Sequence, residues 1–321
     1  MKTFLISTTL ALVVASTAFA RDNVQVTGSS TVLPYATIVA EAFGENFEFP
    51  SPVVEGGGSG AGRKKLCEGV GENTADIANS SSKMKDEEWA QCEEAIGKVT
   101  EVRIGYDGIV FASNIDQLKI EDLTVLQLYT ALRADSTAKL WSDVDPNLPA
   151  VEILAYIPGT KHGTREVFDI KVMEAGCKEA LGVEKLDDDQ KKACVKVRTD
   201  GASVDIDGDY TETLARLDAN PTSLGVFGLS FYQNNTNKLE VSTVGGVFPS
   251  VETIASGDYP ISRPLYFYVK NAHLGVIPGL KEYVEFFVSD DMAGPDGALA
   301  EYGLVPDPEL AATQEMVSGI E

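Results

Sequence analysis

Three times in this chain a short apolar segment of strand character runs into a small-residue turn and then into a helical pattern. The first turn is Thr27-Gly28-Ser29-Ser30-Thr31-Val32-Leu33-Pro34. The second is Gly56-Gly57-Gly58-Ser59-Gly60-Ala61-Gly62, and the third is Pro158-Gly159-Thr160-Lys161-His162-Gly163-Thr164-Arg165. A helix start leaves backbone N–H groups unpaired and carries a partial positive charge. Glycine lets an oxyanion approach those groups closely, and Ser and Thr add hydroxyl donors, so each turn is an anion seat that needs no net positive charge. A hydroxyl ahead of a helix also serves as a plain N-cap. The threefold use of one design is what points to a site. A fourth segment, residues 75–84 (ADIANSSSKM), adds hydroxyls after another strand.

The surrounding pattern is a strand–helix alternation. Strands are predicted at 24–27, 52–55, 75–78, 102–113, 151–157, 224–227 and 264–269. Helices are predicted at 34–43, 63–68, 123–132, 164–175 (closed by Gly176), 210–217, 280–288 and 308–316. Pro34 suits a first helical turn. The rhythm implies an α/β protein with mixed, mostly parallel sheets. No repeat or heptad pattern is present, and Asp187-Asp188-Asp189 reads as a solvated helix start rather than a metal site.

Composition limits the function. The 321 residues are 44% hydrophobic and 23% charged, enough for one large core or two. With 26 Lys+Arg against 49 Asp+Glu, the formal charge is −23, which repels nucleic acid and anionic lipid. Two histidines and four cysteines do not supply an extended metal cluster, and no cofactor is expected. Residues 1–20 read as a cleavable export signal: Lys2, an apolar run over 4–14, and Ala18-Phe19-Ala20 as a small-x-small cleavage site. The expected address is the periplasm. Cys67, Cys92, Cys177 and Cys194 form an even set in an exported chain; three pairings are open, as are four free thiols, and proximity favours Cys67–Cys92 and Cys177–Cys194. No CxxC is present, which argues against zinc or dithiol chemistry.

The segments VTGSSTVLPYA (26–36), EGGGSGAGRKKLCEG (55–69), ADIANSSSKM (75–84), GYDGIVFASN (105–114), HGTREVF (162–168), SLGVFGLSFYQNN (223–235) and YPISRPLYFYVKN (259–271) follow one another in this order. Together they resemble the PstS family, the phosphate-binding proteins of bacterial phosphate ABC transporters. The resemblance implies a two-lobed type II periplasmic binding fold with mixed sheets. Its two-stranded hinge falls near 106–109 and 261–264, so lobe one is 21–108 plus 264–321 and lobe two is 109–263. It implies a monomeric, high-affinity receptor that holds inorganic phosphate between the lobes and delivers it to a permease in the inner membrane. Carried over by position, Thr31 and Val32 (with Ser30 beside them) form the first seat, Ser59 and Gly60 the second, and Gly163 and Thr164 the third.

Two departures bear on selectivity. Where the family often reads Arg-x-x-x-Ser-Gly-Thr, this chain has Pro158 and His162 at the Arg and Ser places. Arg165 is then the expected replacement cation, with His162 a further donor. Where many members carry an Asp that accepts the phosphate proton, this chain has Ser81, which leaves Asp107 as the expected acceptor. Two alternatives stand beside phosphate import: a receptor for sulfate, molybdate or a phosphonate, and a secreted phosphate scavenger without a transporter. An enzyme is not expected. Ser80-x-x-Lys83 and Ser82-x-x-Lys85 match SxxK but lack its companion motifs, and no GxSxG occurs.

Overall fold

Strand Val99–Asn114 runs sixteen residues, and all but a few of them near its start and end are buried. It contributes to three buried clusters, the two largest of them one on each side of its middle. The computed structural model describes residues 21–160, 164–207 and 210–321. The export signal at 1–20, His162 and Gly163 therefore lie outside the described residues. In chain order the strands are β1 Gln25–Gly28, β2 Val53–Glu55, β3 Ile77–Ser80, β4 Val99–Asn114, β5 Asp122–Leu123, β6 Ala155–Pro158, β7 Ser203–Ile206, β8 Leu224–Gly228, β9 Leu239–Val241, β10 Thr243–Val244 and β11 Ser262–Lys270.

A mixed sheet runs β2-β1-β3-β11-β4-β8-β6-β7, with β9 also on β4; β5 and β10 form a separate pair. Strands β1, β2 and β3 are parallel, as are β8, β6 and β7. The inserted β11 is antiparallel to both β3 and β4. Parallel strands need crossover segments, and these bring the helices onto the sheet faces. One core gathers Val24, Val39, Phe43, Val102 and Ile104 with Leu265, Phe267 and Tyr283. Another gathers Ile109, Phe111, Trp141, Phe168, Phe227 and Ile261. Strands β4 and β11 pass between them side by side, paired Tyr106–Pro264, Asp107–Arg263 and Gly108–Ser262. The two-lobed α/β expectation therefore describes this molecule, with the crossing pair as its hinge.

Local chemistry explains several element ends. Asp187 caps helix Asp188–Cys194 by accepting from Gln190 N, so the acidic run is the helix start expected for it. Both favoured disulfides are formed: Cys67–Cys92 ties helix Ser59–Leu66 to helix Asp86–Ile96, and Cys177–Cys194 ties Ala175–Leu181 to Asp188–Cys194.

Several expectations change. Gly176 does not close the helix after Thr164. The chain continues from Thr164–Val167 through a π-helical stretch, Phe168–Glu174, into Ala175–Leu181, and stops at left-handed Gly182. Gly176 is there for packing, since a Cβ on it would lie 2.3 Å from Tyr129 Cβ on the neighbouring helix. The second seat's helix begins at Ser59 rather than 63. The strand expected at 151–157 is ordered as β6 only from Ala155, with Glu152 in an isolated bridge to Leu140. Among the described residues no helix is long and apolar enough to cross a membrane, and no group of three or more His, Cys, Asp or Glu could hold a metal ion.

Candidate functional site

The turns that follow β1, β2 and β3 are stitched together at the same end of the parallel strands. Gly58 N donates to Gly28 O at 2.8 Å, and Ser29 N donates to Asn79 O at 2.9 Å. Ser81 N donates to Ser59 Oγ at 3.0 Å, and the two hydroxyls lie 3.1 Å apart. Glycine makes this approach possible: a Cβ on Gly62 would sit 2.3 Å from Gly28 Cα, and Gly28 itself has φ +132°. The buried Arg63 braces the third turn through Ser80 Oγ at 2.6 Å and Ser82. Clefts beyond the carboxyl ends of parallel strands are where α/β folds place ligands.

The other lobe faces these turns with the helix that begins at Thr164, a residue 3% exposed. Tyr210 OH donates to Thr164 Oγ1 at 3.2 Å. Two residues further on, Glu166 accepts a hydrogen bond from the Thr31 hydroxyl, a direct contact across the cleft. Arg263, on the crossing strand β11, donates from Nη2 to Thr31 Oγ1 at 2.6 Å and lies 3.3 Å from Glu166 Oε2. A cavity of about 650 Å³ opens beside these groups, lined from one lobe by Ser30, Thr31 and Thr37 and from the other by Thr160, Arg165, Glu166 and Asp169, with Tyr302 at its edge.

Asp107 occupies the heart of this arrangement. It is 1% exposed and register-paired with Arg263, and neither carboxylate oxygen has a hydrogen-bond partner. Burial pushes its acid up to about 7, with the Arg263 charge opposing and the Glu166 charge reinforcing the shift. Burial, reinforced by the charge of Asp107, raises the Tyr35 phenol as well. Arg263 Nε and both side-chain polar atoms of Asn79 are likewise buried without partners. Unpaired buried polar atoms are costly, and the Asp107 oxygens and Arg263 Nε lie on adjacent crossing strands between the lobes.

The residues named from sequence divide into three groups. Thr31, Ser59, Ser81, Asp107 and Thr164 sit on these converging turns, on the crossing strands, or at the facing helix start. The Val32 amide points at Ser29 Oγ, 3.4 Å away, and Ser30 is exposed on the cavity wall. Gly60 faces a different groove, with Arg63, Lys64 and Glu88. Arg165 lines the cavity, but its guanidinium is spent within its own lobe, on Asp169 at 2.8 Å, Asp205 at 3.1 Å and Pro158 O at 3.2 Å. The cation that reaches Thr31 is Arg263, which the motif reading did not single out, and neither did it single out Glu166. His162 and Gly163 lie outside the described residues.

A family model described as a PBP superfamily domain matches residues 13–291. The phosphate-binding protein PstS of Staphylococcus saprophyticus is 30% identical over 82% of this chain and 75% of its own length. Among solved structures, a possible phosphate-binding protein from Planctomyces limnophilus is 26% identical, covering 92% of this chain and 96% of its own, at a TM-score of 0.71. An ABC-type phosphate transport receptor from Vibrio cholerae shares the fold at 20% identity and TM-score 0.58, over 88% of this chain and 99% of its own. The chain belongs to the PBP superfamily and, within it, to the PstS family.

Proposed function

We propose that this protein is a receptor for inorganic phosphate that holds the ion in the interlobe cleft and passes it to an ABC importer. The observation that carries the reading is the convergence of the Thr31 and Ser59/Ser81 turns with Thr164 around the buried Arg263–Asp107 pair. Neutral donors and one guanidinium suit a small oxyanion, and charge-assisted bonds to such an ion strengthen in a site that excludes water. The PstS relative and the Planctomyces neighbour are named for phosphate, and the Vibrio protein of like fold is a transport receptor. Export to the periplasm, a monomeric state and a permease partner in the inner membrane complete the proposal.

Asp107 supplies selectivity. Phosphate near neutral pH still carries a proton, and a buried carboxylate accepts that hydrogen bond. Facing sulfate, which has no proton to give, the same carboxylate is an unpaired charge against an anion. Competition calorimetry tests both halves. Wild-type protein is expected to bind phosphate and reject sulfate, and Asp107→Asn to lose about tenfold or more of that discrimination. Strong sulfate rejection by the Asn variant removes Asp107 from the role. Preferential binding of another oxyanion replaces phosphate as the ligand.

A further inference from the structure

Glu166 stands where a ligand oxygen would stand. Its Oε2 accepts from the Thr31 hydroxyl and lies 3.3 Å from Arg263 Nη2, which itself donates to Thr31 Oγ1 at 2.6 Å. These are donors that the oxyanion reading gives to the ligand. Thr31 and Arg263 are 1% and 7% exposed, and buried donors left without an acceptor are costly. The Glu166 side chain, by contrast, is 43% exposed and borders the cavity, so it has room to leave. The charge count points the same way. Asp107 and Glu166 already share the field of Arg263. A phosphate added beside Glu166 would crowd a carboxylate and an anion around the one guanidinium that reaches Thr31, so exchange is favoured over addition.

We propose that Glu166 is the resident occupant of the seat: in the ligand-free protein its carboxylate clasps Thr31 and Arg263 across the cleft, and an incoming oxyanion binds by displacing it. The proposal rests on the oxyanion reading above. Exchange keeps the buried donors satisfied before and after capture, lets the empty receptor hold its lobes together, and lowers apparent affinity by the strength of the internal contact. A glutamate that accepted the ligand's proton would instead remain beside it, and its removal would have the opposite effect.

Calorimetry on wild type, Glu166→Gln and Glu166→Ala with inorganic phosphate and with sulfate, together with small-angle scattering of the ligand-free proteins, decides this. Phosphate binding is expected to tighten about tenfold in Glu166→Gln, with sulfate tightening by the same factor, because displacement is blind to the ligand's proton. Ligand-free Glu166→Ala is expected to have a larger radius of gyration than ligand-free wild type. Weaker phosphate binding in the Gln variant, unchanged affinities, or a gain for sulfate alone overturns the proposal. If wild type binds neither anion, the oxyanion reading fails by itself, and the scattering still decides whether Glu166 clasps the lobes: an unchanged radius overturns it.

Discussion

At the scale of single residues the molecule is dominated by a few charges placed where water does not reach. Asp107 has the largest consequence. Its acid is raised by burial to about 7, so the folded state holds a proton that the unfolded chain has released. The stabilising protonation is fully present below the unfolded carboxylate range and is lost as pH rises through about 7. The ligand-free protein is therefore expected to lose about 2–3 kcal/mol between pH 5 and 8 through this one group. Asp107→Asn should flatten that slope, read by urea unfolding at the two pH values. An unaltered slope would mean the carboxyl is ionised and satisfied in the folded protein. Arg263 shows why such residues are hard to read beforehand. Its partner Thr31 is 232 positions away, and a lone arginine within a strand sequence carries no spacing or capping signal. Arg165 looked the better candidate because it follows Thr164 directly, yet Asp169 one helical turn on and Asp205 on a neighbouring strand claim it.

At the scale of elements, the site depends on how closely helix Ser59–Leu66 approaches the end of β1. Gly62 and Gly28 touch face to face, and the clash from an added methyl falls on backbone, which cannot swing aside. Gly62→Ala should therefore push the helix outward, costing about 1–3 kcal/mol and moving Ser59 off Ser81. Calorimetry should then show phosphate affinity reduced at least about tenfold. Gly60→Ala, in the same helix with open space around it, should leave thermal stability unchanged or slightly raised. Equal effects from the two substitutions would contradict the close-approach argument. This part of the fold was legible from sequence. The Gly-rich run, the hydroxyl turns, the long strand over 102–113 and the neighbouring cysteine pairs are local signals with local causes. Gly176 was misread because a glycine after a helical run signals a stop on its own, and only the three-dimensional neighbour Tyr129 reveals that it marks a contact.

The whole molecule carries a formal charge of −23 and is proposed to capture an anion. Its long-range field opposes approach, so capture rests on donors that act only inside the cleft. Added salt screens the repulsion. The phosphate on-rate, measured by stopped flow, should hold steady or rise as ionic strength increases, and a steep fall would show that a local positive potential governs entry.

The position of β11 sets the order in which the two halves can be finished. It is the last strand to be synthesised, yet it lies between β3 and β4 and donates to both. All the strands of the half formed by the end of β4 with β6 to β9 have emerged by residue 241. The half that begins at β1 still has a gap in its sheet at that moment, and its core still waits for Phe267, Tyr283 and Phe287. The segment translated first therefore matures last, and a ribosome stalled between residues 241 and 262 would hold a chain whose later-made half has all its strands while the first still lacks β11.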